Sequence, residues 1–337
     1  MNSKFKKIAF IGQPEYFKFC YETDLNELYE VREYPLMKNG SENNFSDLFK
    51  FSPDIAFIFR ADFLPASFFE NLNCIKIALS SEPFPRQIGK SLQYTIDSLS
   101  RYLFFRRNIR SKKIDYLFHY DEASLNYMQR DGLQLSGSFY FPVATEFYSP
   151  KYSEKKWDLF FIGRDTLHRE KFFLPLKKDF NFLHIAHGVF GEDLLKYISQ
   201  SSICLNVHAE NEISWEPRMQ MLLAAGAFVI SEKITPNDIL RPGVDYIEAS
   251  SPDDMYKKIS YYLQHTESAQ KISETGRGRI LSKLQATKVF RTLINDVLNG
   301  KYRNFHANNG AFWLDIIDYL FKMRRFLNFH RKIFSKR

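Results

Sequence analysis

Short apolar runs alternate with amphipathic segments along the first 150 residues. KIAFIG (7–12), LYEVREY (28–34), DIAFIF (54–59), CIKIALS (74–80), DYLFHY (115–120) and GSFYFPV (137–143) predict strands. Most are runs bounded by polar or turn residues, the pattern of strands buried on both faces of a parallel sheet. Between them, EYFKFCYETDLNEL, FLPASFFENL and DEASLNYMQRDG have helical spacing, the last with Asp121 as an N-cap and Gly132 at its end. Strand, helix, strand in repetition predicts a doubly wound α/β domain. PVATEFYSPKYSEKKW (142–157) is polar, carries two prolines and has no period, which predicts a linker. The alternation then restarts. DLFFIG (158–163), NFLHIAHG (181–188), SICLNVHA (202–209), AFVISE (227–232) and DYIEAS (245–250) predict strands. Helices are expected at EDLLKYISQ, EPRMQMLLAA and PDDMYKKISYYLQH, with one more over 266–298. The expected organisation is an α/β chain of two Rossmann-like domains, 1–144 and 157–298, facing a cleft, with a helical tail over 301–337.

A chain of 337 residues, 45% hydrophobic and 26% charged, is long enough for two cores and excludes collagen-like, mucin-like and wholly disordered classes. The net charge of +8 is local: nine Lys/Arg from Lys301 onward face only Asp315 and Asp318, so the tail holds +7 and the rest +1. A nucleic-acid surface spread over the body is therefore not expected. Cys20, Cys74 and Cys204 lie far apart in apolar stretches, as free thiols in a reducing compartment do. The N-terminal apolar run is too short for a signal-peptide core, and no stretch reaches the roughly 18 apolar residues of a membrane span. These features predict a cytoplasmic protein.

In open α/β sheets ligands bind beyond the carboxyl ends of the strands. In the second half, DLFFIGRDTLHRE places Gly163 and Arg164 at a strand end, with His168 and Arg169 at the entry to the next helix. Glycine permits close backbone approach, and two guanidiniums near a helix N-terminus suit a diphosphate. The plainer alternative is a turn glycine with solvated arginines. His187 closes another strand. In HAENEISWEPRMQMLLAAG a polar loop feeds a helix opening near Ser214–Pro217, so Glu216, Pro217 and Arg218 fall at a second phosphate-sized N-terminus. Alternatively, Ser214 and Glu216 only cap that helix and Arg218 pairs with them. GRGR (276–279) lies in a helical stretch rather than after a strand and is set aside. There is no Asp-x-Asp, HExxH, GxSxG or GxxxxGK[ST]. No metal or other cofactor is expected, and leaving-group stabilisation falls to arginines and helix-end N–H groups.

These residues carry a resemblance. The order FIGR, polar loop, Pro-Arg, a helix ending Ala-Ala-Gly, a strand, RPGVDYIEASSPDDM and a further helix is similar to the donor-binding half of GT-B glycosyltransferases, in particular the family-4-like, CgeB-type group. SSEPFPR, DYLFHYDEASLNYMQRDG and FPVATEFYSP extend it over roughly residues 4–295. The resemblance implies sugar transfer from a nucleotide-sugar, with the diphosphate near Gly163, Arg164 and Glu216–Arg218. One departure stands out. Retaining members carry two glutamates eight residues apart, and the corresponding positions here are Ile213 and Met221, with Glu212 and Glu216 out of register.

On the acceptor side, Gly12 and Gln13 follow the first strand, Glu82 the fourth, and His119 and Asp121 the fifth. Glu82, between the stiffening Pro83 and the strand before it, is the leading candidate for an inverting base, with His119 and Asp121 behind it. The alternatives are a loop carboxylate paired with Arg86 for Glu82, core packing for His119 and helix capping for Asp121. In the tail, Trp313, Ile316, Ile317, Leu320, Met323 and Leu327 recur at helical spacing among Arg324, Arg325, Arg331, Lys332, Lys336 and Arg337. This fits either a packing helix or one lying on an anionic membrane surface at the inner face of the plasma membrane. The functional expectation is a metal-independent glycosyltransferase acting on a glycan or lipid-linked acceptor in bacterial surface polysaccharide assembly. A non-catalytic glycan-binding adaptor and a nucleotide-sugar epimerase of the same fold are the alternatives.

Overall fold

IAFIF (Ile55–Phe59) is apolar at all five positions and buried at all five, which suits a strand at the middle of a sheet covered on both faces. In the computed structural model it does lie there. The structure describes residues 7–36, 45–210, 215–235 and 237–334, without the side chains of Glu15, Tyr16 and the residues after Met323. The chain divides into two compact units, residues 1–13, 31–139 and 300–337, and residues 14–30 and 140–299.

In the first unit the strands are β1 (Lys7–Gly12), β2 (Glu30–Pro35), β3 (Ile55–Phe59), β4 (Ile75–Ser80), β5 (Arg86–Ile88), β6 (Ser91–Gln93), β7 (Tyr116–His119), β8 (Leu133–Gln134) and β9 (Gly137–Ser138). Six of them form a sheet in the order β2-β1-β3-β4-β7-β9. The pairs from β1 to β9 are parallel, with Ile8 opposite Ile55 and Ile55 opposite Ile75. β2, mostly exposed along its length, closes one edge. The expected strand 137–143 shortens to two residues. The β5–β6 hairpin and the helix Ile96–Ile109 were not visible in the sequence. Thr95 and Ser98 box the start of that helix, at 2.8 and 3.0 Å, and its buried Tyr102, Leu103, Phe105 and Ile109 share a turn with a buried Arg106, which masked the apolar period.

In the second unit β10 (Trp157–Ile162), β11 (Phe182–Ile185), β12 (Ser201–Asn206), β13 (Val229–Glu232) and β14 (Ile247–Ala249) form an all-parallel sheet in the order β11-β10-β12-β13-β14. The doubly wound reading thus holds in both units. The segment assigned from sequence to a linker is tied down at its start: Val143 bonds the backbone of Leu284 at 2.9 Å and of Ala286 at 3.1 Å. Those two bonds fall where the expected single helix over 266–298 breaks into Thr266–Lys283 and Ala286–Leu298. The buried Glu22 carboxylate accepts from Thr145 Oγ1 at 2.7 Å, Glu146 N at 3.1 Å and Thr287 N at 3.2 Å. It thereby anchors residues 14–30 to this unit, although they precede the second strand of the other sheet. GRGR lies inside the 266–283 helix, where a Cβ on Gly276 would stand 2.2 Å from the Asp245 carbonyl oxygen. That glycine serves close packing.

The tail helix, Phe312–Phe334, belongs to the first unit. Leu314 is buried in its core, and Ile317 and Phe321 pack against that core. Buried Asp131 governs the junction. It accepts from Tyr102 Oη at 2.6 Å, from Arg106 at 2.7 and 3.0 Å, and from the backbone N–H of Ala311 at 2.8 Å. Burial alone would raise the Asp131 pKa, but these donors outweigh it and hold the carboxyl below its ordinary 3.8. A depressed carboxyl contributes stability above its unfolded pKa, lost as pH falls through the lower folded value. Asp131→Ala is expected to cost about 3–5 kcal/mol in urea unfolding, because buried Arg106 loses two of its charge-assisted bonds and keeps only Asp315, and acid unfolding of the wild type should deepen below about pH 4.

Candidate active site

The strand order of the second unit reverses between β10 and β12, which run beside each other with β11 and β13 on their outer sides. The carboxyl ends of those two strands are therefore where a crevice opens. Two buried arginines fill it. Arg218, from the first turn of the helix Pro217–Ala224, donates to Ile162 O at 2.6 Å, Asn206 Oδ1 at 3.0 Å and Val207 O at 3.2 Å. Arg169, from the helix Leu167–Asp179, donates to Val207 O at 3.0 Å and Arg164 O at 2.8 Å. Both guanidiniums lie over the Phe161 ring, 4.8 and 4.5 Å from its centroid for Arg169 and Arg218. The backbone oxygens they bind are those of the last residue of β10 and of chain just past β10 and β12.

Glu216 is the N-cap residue of the 217–224 helix, yet its side chain does not cap it. It turns instead to Arg218, to His208 Nδ1 at 3.4 Å and to Arg169 at 3.9 Å. Burial opposes its ionisation, but Arg218, His208 and Arg169 outweigh burial and lower its pKa to about 2. Burial and the neighbouring Arg218 lower Arg169 to about 10. Glu216 is thus ionised at neutral pH between the two arginines, Glu232 acts on both of them as well, and exposed Arg164 lies beside them. The His208 backbone N–H donates to Glu232 Oε2 at 2.7 Å, while Glu232 Oε1 meets His168 Nε2 at 2.8 Å. Asn206, His208 and Glu232 were missed in the sequence. Each stands at or just past a strand end, the one signal that would have found them.

Gly163 sits under the arginines with φ +149°, and a Cβ there would lie 3.0 Å from Arg218 NH1 and 3.1 Å from Arg169 NH1. The structure thus brings Gly163, Arg164, Arg169, Glu216, Pro217 and Arg218 to one crevice. His187 stands exposed beyond β11. Glu212, Ile213 and Ser214 lie outside the described residues. Beside the crevice, Asp165, Glu170 and His184 have donor atoms within 4.8 Å of one another. Glu170 is paired with Lys177 at 2.8 Å, and His184 Nε2 meets Gly163 O at 2.8 Å.

In the first unit the order reverses between β1 and β3. Gly12 ends β1. Arg60, just past β3, adopts a left-handed conformation with φ 60°, a strained choice for an arginine. It binds Asp62 at 3.0 Å and Glu82 at 2.6 Å and stacks on Phe63 at 3.8 Å. Glu82 also binds Arg101, so its partners are Arg60 and Arg101 rather than Arg86. Arg86 is buried against Asp121 at 2.6 Å, and Asp121 also caps the Glu122–Arg130 helix through Ala123 N at 3.2 Å. His119 is fully buried, stacked on Phe84 at 4.8 Å with Nδ1 3.2 Å from Ser80 Oγ. Burial lowers its pKa to about 3, which keeps the ring neutral.

Residues 168–295, which include the helices bearing Arg169 and Arg218, match the family described as glycosyl transferase-like. No curated protein sequence matches the chain significantly. Among solved structures, HepE from Anabaena, in complex with UDP and glucose, aligns with a TM-score of 0.55 at 9% identity, over 87% of this chain and 100% of its own. The sucrose-phosphate synthase of Thermosynechococcus elongatus aligns with a TM-score of 0.55 at 8% identity, over 88% and 100%. An alpha-glucosyltransferase in complex with UDP-glucose and DNA gives 0.56 at 11%, over 87% and 99%. The fold class read from the sequence is borne out: the chain shares the two-domain GT-B fold of these glycosyltransferases, and residues 168–295 carry the glycosyl transferase-like match. Gly163→Ala is expected to cost about 1–3 kcal/mol in urea unfolding, from the positive φ and the contact with both guanidiniums. An unchanged midpoint would show that the arginines shift aside freely.

Proposed function

We propose that the protein transfers a sugar from a UDP-sugar to a glycan or lipid-linked acceptor, at the cytoplasmic face of a bacterial membrane and in surface polysaccharide assembly. The observation that carries the donor side is the pair of buried arginines, with exposed Arg164 beside them, at the β10–β12 switch point. A bound diphosphate would accept from these guanidiniums, and the developing charge on the leaving group is stabilised by preset donors in a site of low dielectric. Arg164 and the N–H groups opening the 217–224 helix add to that field. HepE and the alpha-glucosyltransferase, solved with UDP and glucose and with UDP-glucose, support UDP as the carrier.

In this reading Glu216 orients Arg169 and Arg218, and His187 flanks the donor. Charge stabilisation by guanidiniums makes the reaction independent of a metal, so transfer persists in EDTA. Loss on chelation, restored by Mn²⁺, would overturn that part and point to Asp165, Glu170 and His184. A thermal-shift screen of nucleotide-sugars should show UDP-sugars stabilising the wild type, and Arg218→Ala should weaken donor binding at least about tenfold, the loss of a charge-assisted pair. Stabilisation by a UDP-sugar with no turnover on any acceptor would favour the adaptor reading.

On the acceptor side, Glu82, His119, Asp121 and Gly12 are assigned to the carboxyl-end surface of the first unit. With Arg60 and Arg101 bound to it, Glu82 serves this surface best as a positioning group, with Asp121 and His119 fixing the loop and strand beneath. Glu82→Gln is expected to raise the acceptor KM and leave donor hydrolysis unchanged. Transfer kinetics equal to wild type would remove Glu82 from the site.

A further inference from the structure

The first three turns of the tail helix carry two apolar faces, and the fold uses only one. Leu314, Ile317 and Phe321 face the core of the first unit. On the other side Phe312, Trp313, Ile316, Tyr319, Leu320 and Met323 are between 42% and 76% exposed. At about 100° per residue the positions 313, 316, 320 and 323 fall in one stripe beside the packed face of Leu314, Ile317 and Phe321. An exposed stripe of this kind, continuous over three turns and containing four large aliphatic or aromatic side chains, marks an interaction surface.

The charge around it selects the occupant. The tail has two carboxylates, and both are engaged: Asp315 by Arg106 at 2.6 Å, and Asp318 by Arg107 and by Lys322, each at 2.9 Å. The sequence that follows Lys322 contains Arg324, Arg325, Arg331, Lys332, Lys336 and Arg337 and no acidic residue. An apolar stripe leading into unopposed positive charge is complementary to an apolar layer beneath an anionic surface. A second copy of this helix would bring the same positive charge against itself. Among the described residues no helix is long and apolar enough to cross a membrane, so the helix can lie on a bilayer but not span it.

We propose that the face formed by Phe312, Trp313, Ile316, Tyr319, Leu320 and Met323 inserts into the interfacial layer of an anionic bilayer while Leu314, Ile317 and Phe321 keep the helix fixed to the first unit. The inference rests on the tail alone and stands whether or not the donor is a UDP-sugar. It is tested with the full chain and vesicles of phosphatidylcholine with or without about 30% phosphatidylglycerol. The wild type should sediment with the anionic vesicles only, release in high salt, and shift Trp313 emission to the blue on binding. Ile316→Glu with Leu320→Glu, both exposed, should keep the wild-type circular dichroism spectrum and lose at least about a hundredfold in vesicle affinity. Equal binding by the double variant would overturn the proposal, as would no binding by the wild type. So would a wild-type dimer that the double variant dissolves, since the face would then pair with a second copy.

Discussion

Arg218 and Arg169 hold together the part of the fold on which the function rests. At the ends of β10 and β12 in the second unit, the carbonyls of Ile162, Arg164 and Val207 all accept from side chains. The two guanidiniums supply the N–H groups. Only arginine can do this, since its planar fork reaches several acceptors at once and stays charged when buried, where a lysine would offer one compact ammonium. The Phe161 ring beneath both groups keeps water from one side and adds attraction. The consequence is electrostatic. Structural demand has placed two guanidiniums at a switch point, with Glu216 bound to them and Glu232 acting on both.

The first unit solves the same geometric problem with a different set of partners. Arg60 ends β3 in a left-handed conformation, a strain that persists only where surroundings fix it. Here Asp62 and Glu82 fix it, and Arg101 is in turn shared by Glu82 and Asp97. Three carboxylates serve two arginines. The two switch points, alike in topology, thus differ in what holds their arginines: side-chain carboxylates in the first unit, strand-end carbonyls together with Glu216 in the second.

The strands were legible because a parallel strand buried on both faces must be a continuous apolar run, and KIAFIG, DIAFIF, CIKIALS and DLFFIG are nothing else. Gly163, Arg164, Arg169, Glu216 and Arg218 were legible for a related reason: the sheet rule says to look just past such runs. What stayed hidden depends on contacts distant in sequence. The 96–109 helix carries Arg106 on its buried side, and that arginine is tolerable there only because Asp131 and Asp315 meet it. Residues 14–30 join the second unit because the Glu22 carboxylate is held by Thr145, Glu146 and Thr287, more than 120 residues away in each case. Arg60 gave no sign in sequence, since a left-handed arginine is written no differently from any other.

The tail shows how two readings of one amphipathic segment can be compatible. Its apolar residues are too many for one stripe, and the sequence alone divides packing and lipid contact along the chain, 311–323 against 324–337. On the helix they occupy different sides, so packing by Leu314, Ile317 and Phe321 takes nothing from the exposed stripe. Packing also prepares that stripe. An interfacial helix that must order itself on the membrane pays for nucleation at the moment of binding, whereas this one is already helical and already oriented by Asp315 and Asp318. The two carboxylates, spent on Arg106 and Arg107, are also the charges that would otherwise have repelled an anionic surface. The contacts that hold the helix to the protein therefore leave its outer side both apolar and positively flanked.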